Sequence, residues 1–99
     1  MGEPRVTVLA RFKAKEGLER EAEQAIAACV APTRAEAGCV NYDLHRSQDY
    51  RGTFILHENW VSRKALDEHL EMPYLKTLKA KATELFVGPI DISLWERID

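Results

Sequence analysis

The stretch HENWVSRKALDEH, residues 57 to 69, sets two imidazoles, a carboxylate, an amide and an indole beside a short amphipathic run. Histidine titrates near neutral pH and can take a proton without help from a metal or a cofactor. An indole N–H can donate to a substrate oxygen, and its ring packs well against an aromatic ligand. His69 as base and Trp60 as donor are the candidate catalytic pair. Each also has a purely structural role open to it. A histidine on an apolar helical face is commonly a hydrogen-bonded packing residue, and a tryptophan at a strand end is commonly core. Glu58, in mid-strand, is expected to pair with a basic residue such as Arg97, because buried charges are usually paired.

Other chemistries lack their residues. His45 and His57 stand alone, and no His/Asp/Glu trio has metal-ligand spacing. There is no Ser-His-Asp order and no glycine-rich phosphate loop. Cys29 and Cys39 form neither a CxxC pair nor a zinc cluster, and Cys29 falls in an apolar helical stripe as a small hydrophobe. No metal and no cofactor is expected.

Composition narrows the partners. The 99 residues suffice for one domain, 1–99, and a domain of that size gains from oligomerisation. Hydrophobic residues make up 45% and charged residues 30%, an ordinary globular mixture. The net charge is -2 with no basic block, so nucleic acid is not an expected partner. No apolar run approaches the roughly 18 residues of a membrane span. MGEPRVTVLA does not read as a signal peptide, and Val6 stands where a myristoylation signal needs Ser or Thr. A cytoplasmic location is expected.

The elements that must position His69 and Trp60 follow from periodicity. RVTVLARFKAK, residues 5 to 15, alternates as a strand. After Gly17, the stripe Leu18, Ala22, Ala25, Ile26, Cys29, Val30 and Thr33 has helical spacing, with acidic residues in its first turns. Pro32 predicts a kink or an early end, and Gly38 the closing C′ position. VNYDLHRS (40–47) and TFILHENWV (53–61), joined by the polar turn QDYRG, predict an antiparallel hairpin. Ser62 caps a helix whose inner face carries Ala65, Leu66, His69 and Leu70. Met72-Pro73 interrupts it and starts a second piece bearing Tyr74, Leu75, Leu78, Ala82, Leu85 and Phe86. IDISLWERI (90–98) is the last strand. The order is βαββαβ, so the predicted class is α+β, a ferredoxin-like four-stranded antiparallel sheet with helices on one face. Bulky residues on both faces of the strands call for a cover on the second face, most simply a second copy of the chain.

The motifs Glu36, Gly38, Cys39, Tyr42, then Phe54, Glu58, Trp60, then Ser62, Ala65, His69 resemble the antibiotic biosynthesis monooxygenase (ABM) family over nearly the whole chain. The resemblance implies a dimeric α+β barrel, a homodimer with two sheets packed face to face. It also implies a pocket between sheet and helices in each subunit. Phe54, Leu56, Glu58 and Trp60 would line it from the strand, Leu66 and His69 from the next helix, and Tyr74 from the helix after that. The implied activity is cofactor-free, quinol-monooxygenase-like oxygenation of a small aromatic quinol or polyketide-type substrate by dioxygen. A base removes a proton and the substrate anion passes an electron to oxygen. His57 and Asn59, of opposite parity, would face the dimer interface. The family also holds haem-degrading enzymes and a phosphosugar isomerase. The first strand lacks the Asn of the haem group, and no basic phosphate pocket stands out. A non-enzymatic binding or stress-response module is the alternative from a different class.

Overall fold

Period-two segments of the chain become strands, and each helical stripe is cut in two at a proline. The computed structural model describes residues 4–99, so the reading of Gly2 lies outside it. Chain order is β1 (Val6–Lys13), α1 (Glu19–Ala27), α2 (Val30–Arg34), β2 (Cys39–Arg46), β3 (Thr53–Trp60), α3 (Arg63–Leu70), α4 (Pro73–Leu85) and β4 (Asp91–Trp95). The strands form one antiparallel sheet, ordered β2-β3-β1-β4, with helices over one face. This is the expected ferredoxin-like α+β arrangement.

The two cuts have the same cause. Pro32 cannot donate a helical hydrogen bond, and its ring crowds the turn before it. The chain therefore pauses at Ala28 and Cys29 and restarts with Pro32 in the first turn of α2, where no N–H is needed. Pro73 holds Met72 in an extended conformation (φ -69, ψ 144) and occupies the first turn of α4. The Ser62 hydroxyl accepts from the Ala65 N–H at 3.1 Å and so caps α3, the helix that carries His69.

Gly38 differs from its expected role. Its backbone is not left-handed, unlike that of Gly17 and Gly88. Its missing side chain matters instead: a Cβ there would lie 2.3 Å from the Cβ of Ala65. The α2–β2 loop thus touches α3, an approach only glycine permits. Val61 N–H, bonded to the Gly38 carbonyl at 3.0 Å, fastens the same contact.

Strand β3 separates the two faces most cleanly. Phe54, Leu56, Glu58 and Trp60 are buried, while Ile55, His57 and Asn59 are half-buried on the other side. Val8, Ala10 and Phe12 of β1 and Tyr42 of β2 share the buried face. A register shift between Cys39 and Asn41 takes Val40 out of the alternation and leaves it exposed. The last strand is shorter than 90–98 and ends at Trp95. That removes the expected Glu58–Arg97 pair: β1 stands between β4 and β3, and Arg97 bonds Asp99 at 2.6 Å.

Candidate functional site

Burying a carboxylate, an imidazole and two phenols in one core requires each to find a partner. His69 is 2% exposed, and its Nδ1 lies 2.8 Å from Glu36 Oε2. A carboxylate there takes the Nδ1–H, which leaves Nε2 as the nitrogen with a free lone pair. Among the described residues Nε2 makes no hydrogen bond. The Tyr74 hydroxyl donates to the same Glu36 oxygen. Burial, with the Glu36 bond and charge adding to it, pushes Tyr74 up to about 12 and keeps it a donor. Glu36 is therefore the hub of a carboxylate–imidazole–phenol group that ties the α2–β2 loop to α3 and α4.

Aromatic rings fix the imidazole plane. The Trp60 ring lies against His69 with centroids 4.4 Å apart and an interplanar angle of 36°. Tyr42 meets His69 edge-on at 5.4 Å. The Trp60 indole N–H donates to Glu58 Oε1 at 2.9 Å, so it is already engaged rather than free for a substrate. Glu58 is 4% exposed and sits directly across from Tyr42 on β2 and Val8 on β1. Burial raises its carboxyl to about 7; the Trp60 N–H opposes that rise and the Glu36 charge adds to it. Burial, followed by the nearby Glu58 charge, holds Tyr42 well above the usual phenol range.

A cavity of about 100 Å³ opens between the sheet and helices α3 and α4. Leu56, Glu58, Leu66 and His69 line it, as expected for a pocket. Small Val8 and Ala10 on β1 leave the space, and Ile92 and Leu94 of β4 border its half-open mouth. The other expected residues lie nearby but do not line it. Trp60 packs behind His69, and Tyr74 reaches the group through Glu36. Phe54, at the far end of β3, borders a depression beside Leu44 and Ala27. Two larger grooves, of about 430 and 590 Å³, lie between α1 and α4 and on the outer sheet face. Both lack this convergence of buried polar groups, which marks a chemical site better than volume does. Among the described residues no cluster of His, Cys, Asp and Glu is placed to hold a metal ion, and no helix is long and apolar enough to cross a membrane.

Glu36 is the site residue that the sequence reading missed. EAGC reads as the end of a helix, and nothing local links Glu36 to an imidazole 33 positions away. The available signal was its place in the family motif that also contains His69, two residues before Gly38, which permits contact with α3.

The profile of the family described as antibiotic biosynthesis monooxygenase matches residues 5–81. The chain belongs to that family. A Mycobacterium tuberculosis relative named "Putative monooxygenase Rv0793" is 36% identical over 94 residues, which cover 95% of this chain and 92% of the relative. The solved structure of Rv0793 superposes with a TM-score of 0.91 over 96% of both chains. The structure of PA3566 from Pseudomonas aeruginosa, 28% identical, superposes with a TM-score of 0.94 over 100% of this chain and 99% of that one.

Proposed function

We propose that this chain, acting as a single domain, is a cofactor-free monooxygenase of a quinol-type aromatic substrate, with His69 as the base. The observation that carries this reading is the Glu36–His69 pair. Nδ1 is held by a carboxylate at 2.8 Å, and the ring lines an apolar cavity. A carboxylate behind an imidazole fixes its tautomer and favours the imidazolium that forms when it takes a proton. Leu56 and Leu66 contact the substrate rings, and Glu58 contacts a substrate oxygen. Trp60 supports turnover by packing the His69 ring and holding Glu58, and Tyr74 by holding Glu36.

The cavity volume constrains the substrate. A dry cavity of about 150 Å³ accepts benzene, so about 100 Å³ encloses only the reacting edge of a ring. The rest of a larger ring system lies across the apolar mouth formed with Ile92 and Leu94. A hydroxyanthrone is a suitable test compound. Its phenol-conjugated ring methylene loses a proton to His69, and the anion gives one electron to dioxygen. The radical pair joins as a peroxide, which collapses to a ring carbonyl and water. In balance, CH2 and O2 give C=O and H2O. Under ¹⁸O₂, one labelled atom is expected in the product and one in water. Oxygen entering the product from unlabelled water would refute the oxygenase reading.

The half-buried outer face supports a homodimer through the sheets. Thr7 Oγ1 donates to Asn59 at 2.5 Å, and Asn59 donates to Asn41 at 2.8 Å, so the polar groups there are already paired. Leu9 and Ile55 lie farther along the same face as the apolar contact. Two free cysteines suit a reducing, cytoplasmic setting.

A further inference from the structure

The oxygenase chemistry needs a proton given back as well as one taken away, and the cavity contains a second group of the right kind. Glu58 sits in mid-strand with its side chain under the helices, 4% exposed. Trp60 N–H fixes one carboxyl oxygen at 2.9 Å. The other oxygen makes no hydrogen bond to a described residue, and the residue lines the same cavity as His69. Among the described residues no cation pairs with it: Arg97, the expected partner, is bonded to Asp99. We propose that Glu58 is the cavity's proton donor, hydrogen-bonding a ligand oxygen and delivering its proton to the distal oxygen of the substrate peroxide.

This deepens the oxygenase reading and rests on it for the peroxide step. His69 first removes one methylene proton. After the anion has reduced dioxygen and the radicals have joined, Glu58 protonates the terminal peroxide oxygen. Loss of the second methylene proton to the Glu58 carboxylate breaks the O–O bond and forms the carbonyl. The departing hydroxide takes the proton held by His69 and leaves as water. Both side chains end as they began. A peroxide that is not protonated has a poor leaving group; its C–O bond breaks homolytically instead. That gives the substrate radical, which couples to a dimer, and superoxide, which dismutates with two protons per pair to hydrogen peroxide and oxygen.

The surroundings keep the acid form in play at neutral pH. From β2, Tyr42 faces Glu58 as a neutral phenol, with Cys39 farther along the strand; from β1, the facing residue is Val8. Arg63 and His69 of α3 and Lys79 of α4 line the cavity with it, and Glu36 adds a like charge from the α2–β2 loop. Both cations are exposed, and they do not offset burial: the Glu58 carboxyl stands at about 7.

Two measurements on wild type and Glu58→Gln test this. The glutamine keeps an acceptor for Trp60 and the shape of the side chain, but holds no transferable proton. The first measurement is the affinity for 2,3-dimethyl-1,4-naphthoquinone, a non-ionisable acceptor whose substituted ring carbons resist thiol addition. Wild type is expected to bind about tenfold more weakly at pH 8 than at pH 6, as the donor is lost through about 7. Glu58→Gln is expected to show little of that change. The second is hydrogen peroxide released per oxygen consumed with a hydroxyanthrone: low in wild type, and most of the oxygen consumed in Glu58→Gln. Quinone affinity that ignores pH in wild type, an equal pH dependence in the variant, or no quinone binding at all overturns the donor assignment. Pronounced pH-dependent binding with unchanged peroxide release overturns the delivery step. If wild type consumes no oxygen above background, the oxygenase reading and its delivery step fail, while the binding result still judges Glu58 as donor.

Discussion

The two faces of one sheet use polar residues in opposite ways. On the helix-covered face, Glu58 and His69 are each held at one atom by an indole or a carboxylate, and each keeps a second polar atom without a partner among the described residues. On the open face, Thr7, Asn59, Asn41 and Asp43 bond one another in a continuous chain, which Arg34 of α2 extends at the β2 edge. The open-face groups satisfy each other at the surface, where water also competes. The covered groups leave unused capacity in a mostly apolar cavity under the helices, where an electrostatic interaction is stronger and a proton transfer easier to direct. Residue type alone does not distinguish the two faces; the number of partners left over does.

Glu36→Gln should break the contrast most. It removes the carboxylate that holds His69 Nδ1–H and allows the wrong tautomer. Turnover of a hydroxyanthrone should fall roughly 10- to 100-fold, read from steady-state oxygen uptake across pH. Unchanged turnover would reduce Glu36 to a packing residue.

Glu58 offers the next effect, on stability. Its carboxyl rises from an ordinary 4.5 to about 7 in the fold. The folded state therefore binds more proton than the unfolded chain between those values. Its contribution is full below about 4.5 and is lost as pH rises to about 7, by roughly 3 kcal/mol. Denaturant titrations at pH 5 and pH 8 should show this loss in wild type and much less of it in Glu58→Gln.

Gly38→Ala tests the loop that brings Glu36 to α3. A methyl group 2.3 Å from Ala65 Cβ must push the two apart, at a cost of about 1–3 kcal/mol. A lower unfolding midpoint with reduced turnover is expected; a neutral result would mean that the loop and helix separate freely. The smallest effect belongs to the open face. Asp43→Asn loses an ion pair to Arg34 at 3.2 Å between half-exposed side chains, worth under about 1 kcal/mol. Turnover should be unchanged. A large loss there would erase the distinction between the faces.

Much of this architecture was legible because it rests on local physics. Alternation marked β1, β2 and β3, and Pro32 and Pro73 marked the helix breaks. A pocket lined by Leu56, Glu58, Leu66 and His69 was implied by the family resemblance, while strand parity and helical spacing put these residues on inward faces. What stayed hidden depends on tertiary neighbours. Arg97 was matched to Glu58 on charge alone, whereas β1 lies between their strands. The actual partner, Trp60, is two residues away on the same strand face. Glu36 needed the loop-to-helix contact at Gly38, which no periodicity reveals. Phe54 shares the parity of Leu56 and Glu58 but lies past the end of the cavity, because parity fixes the face and not the position along it.

The most direct measurement is oxygen consumption by purified, metal-free protein with a hydroxyanthrone, set against uncatalysed autoxidation and against His69→Ala. Protein-dependent uptake, reduced roughly 100-fold or more in a folded His69→Ala, is the result predicted for a base on the covered face. Uptake no faster than autoxidation, or uptake that His69→Ala leaves intact, would contradict it.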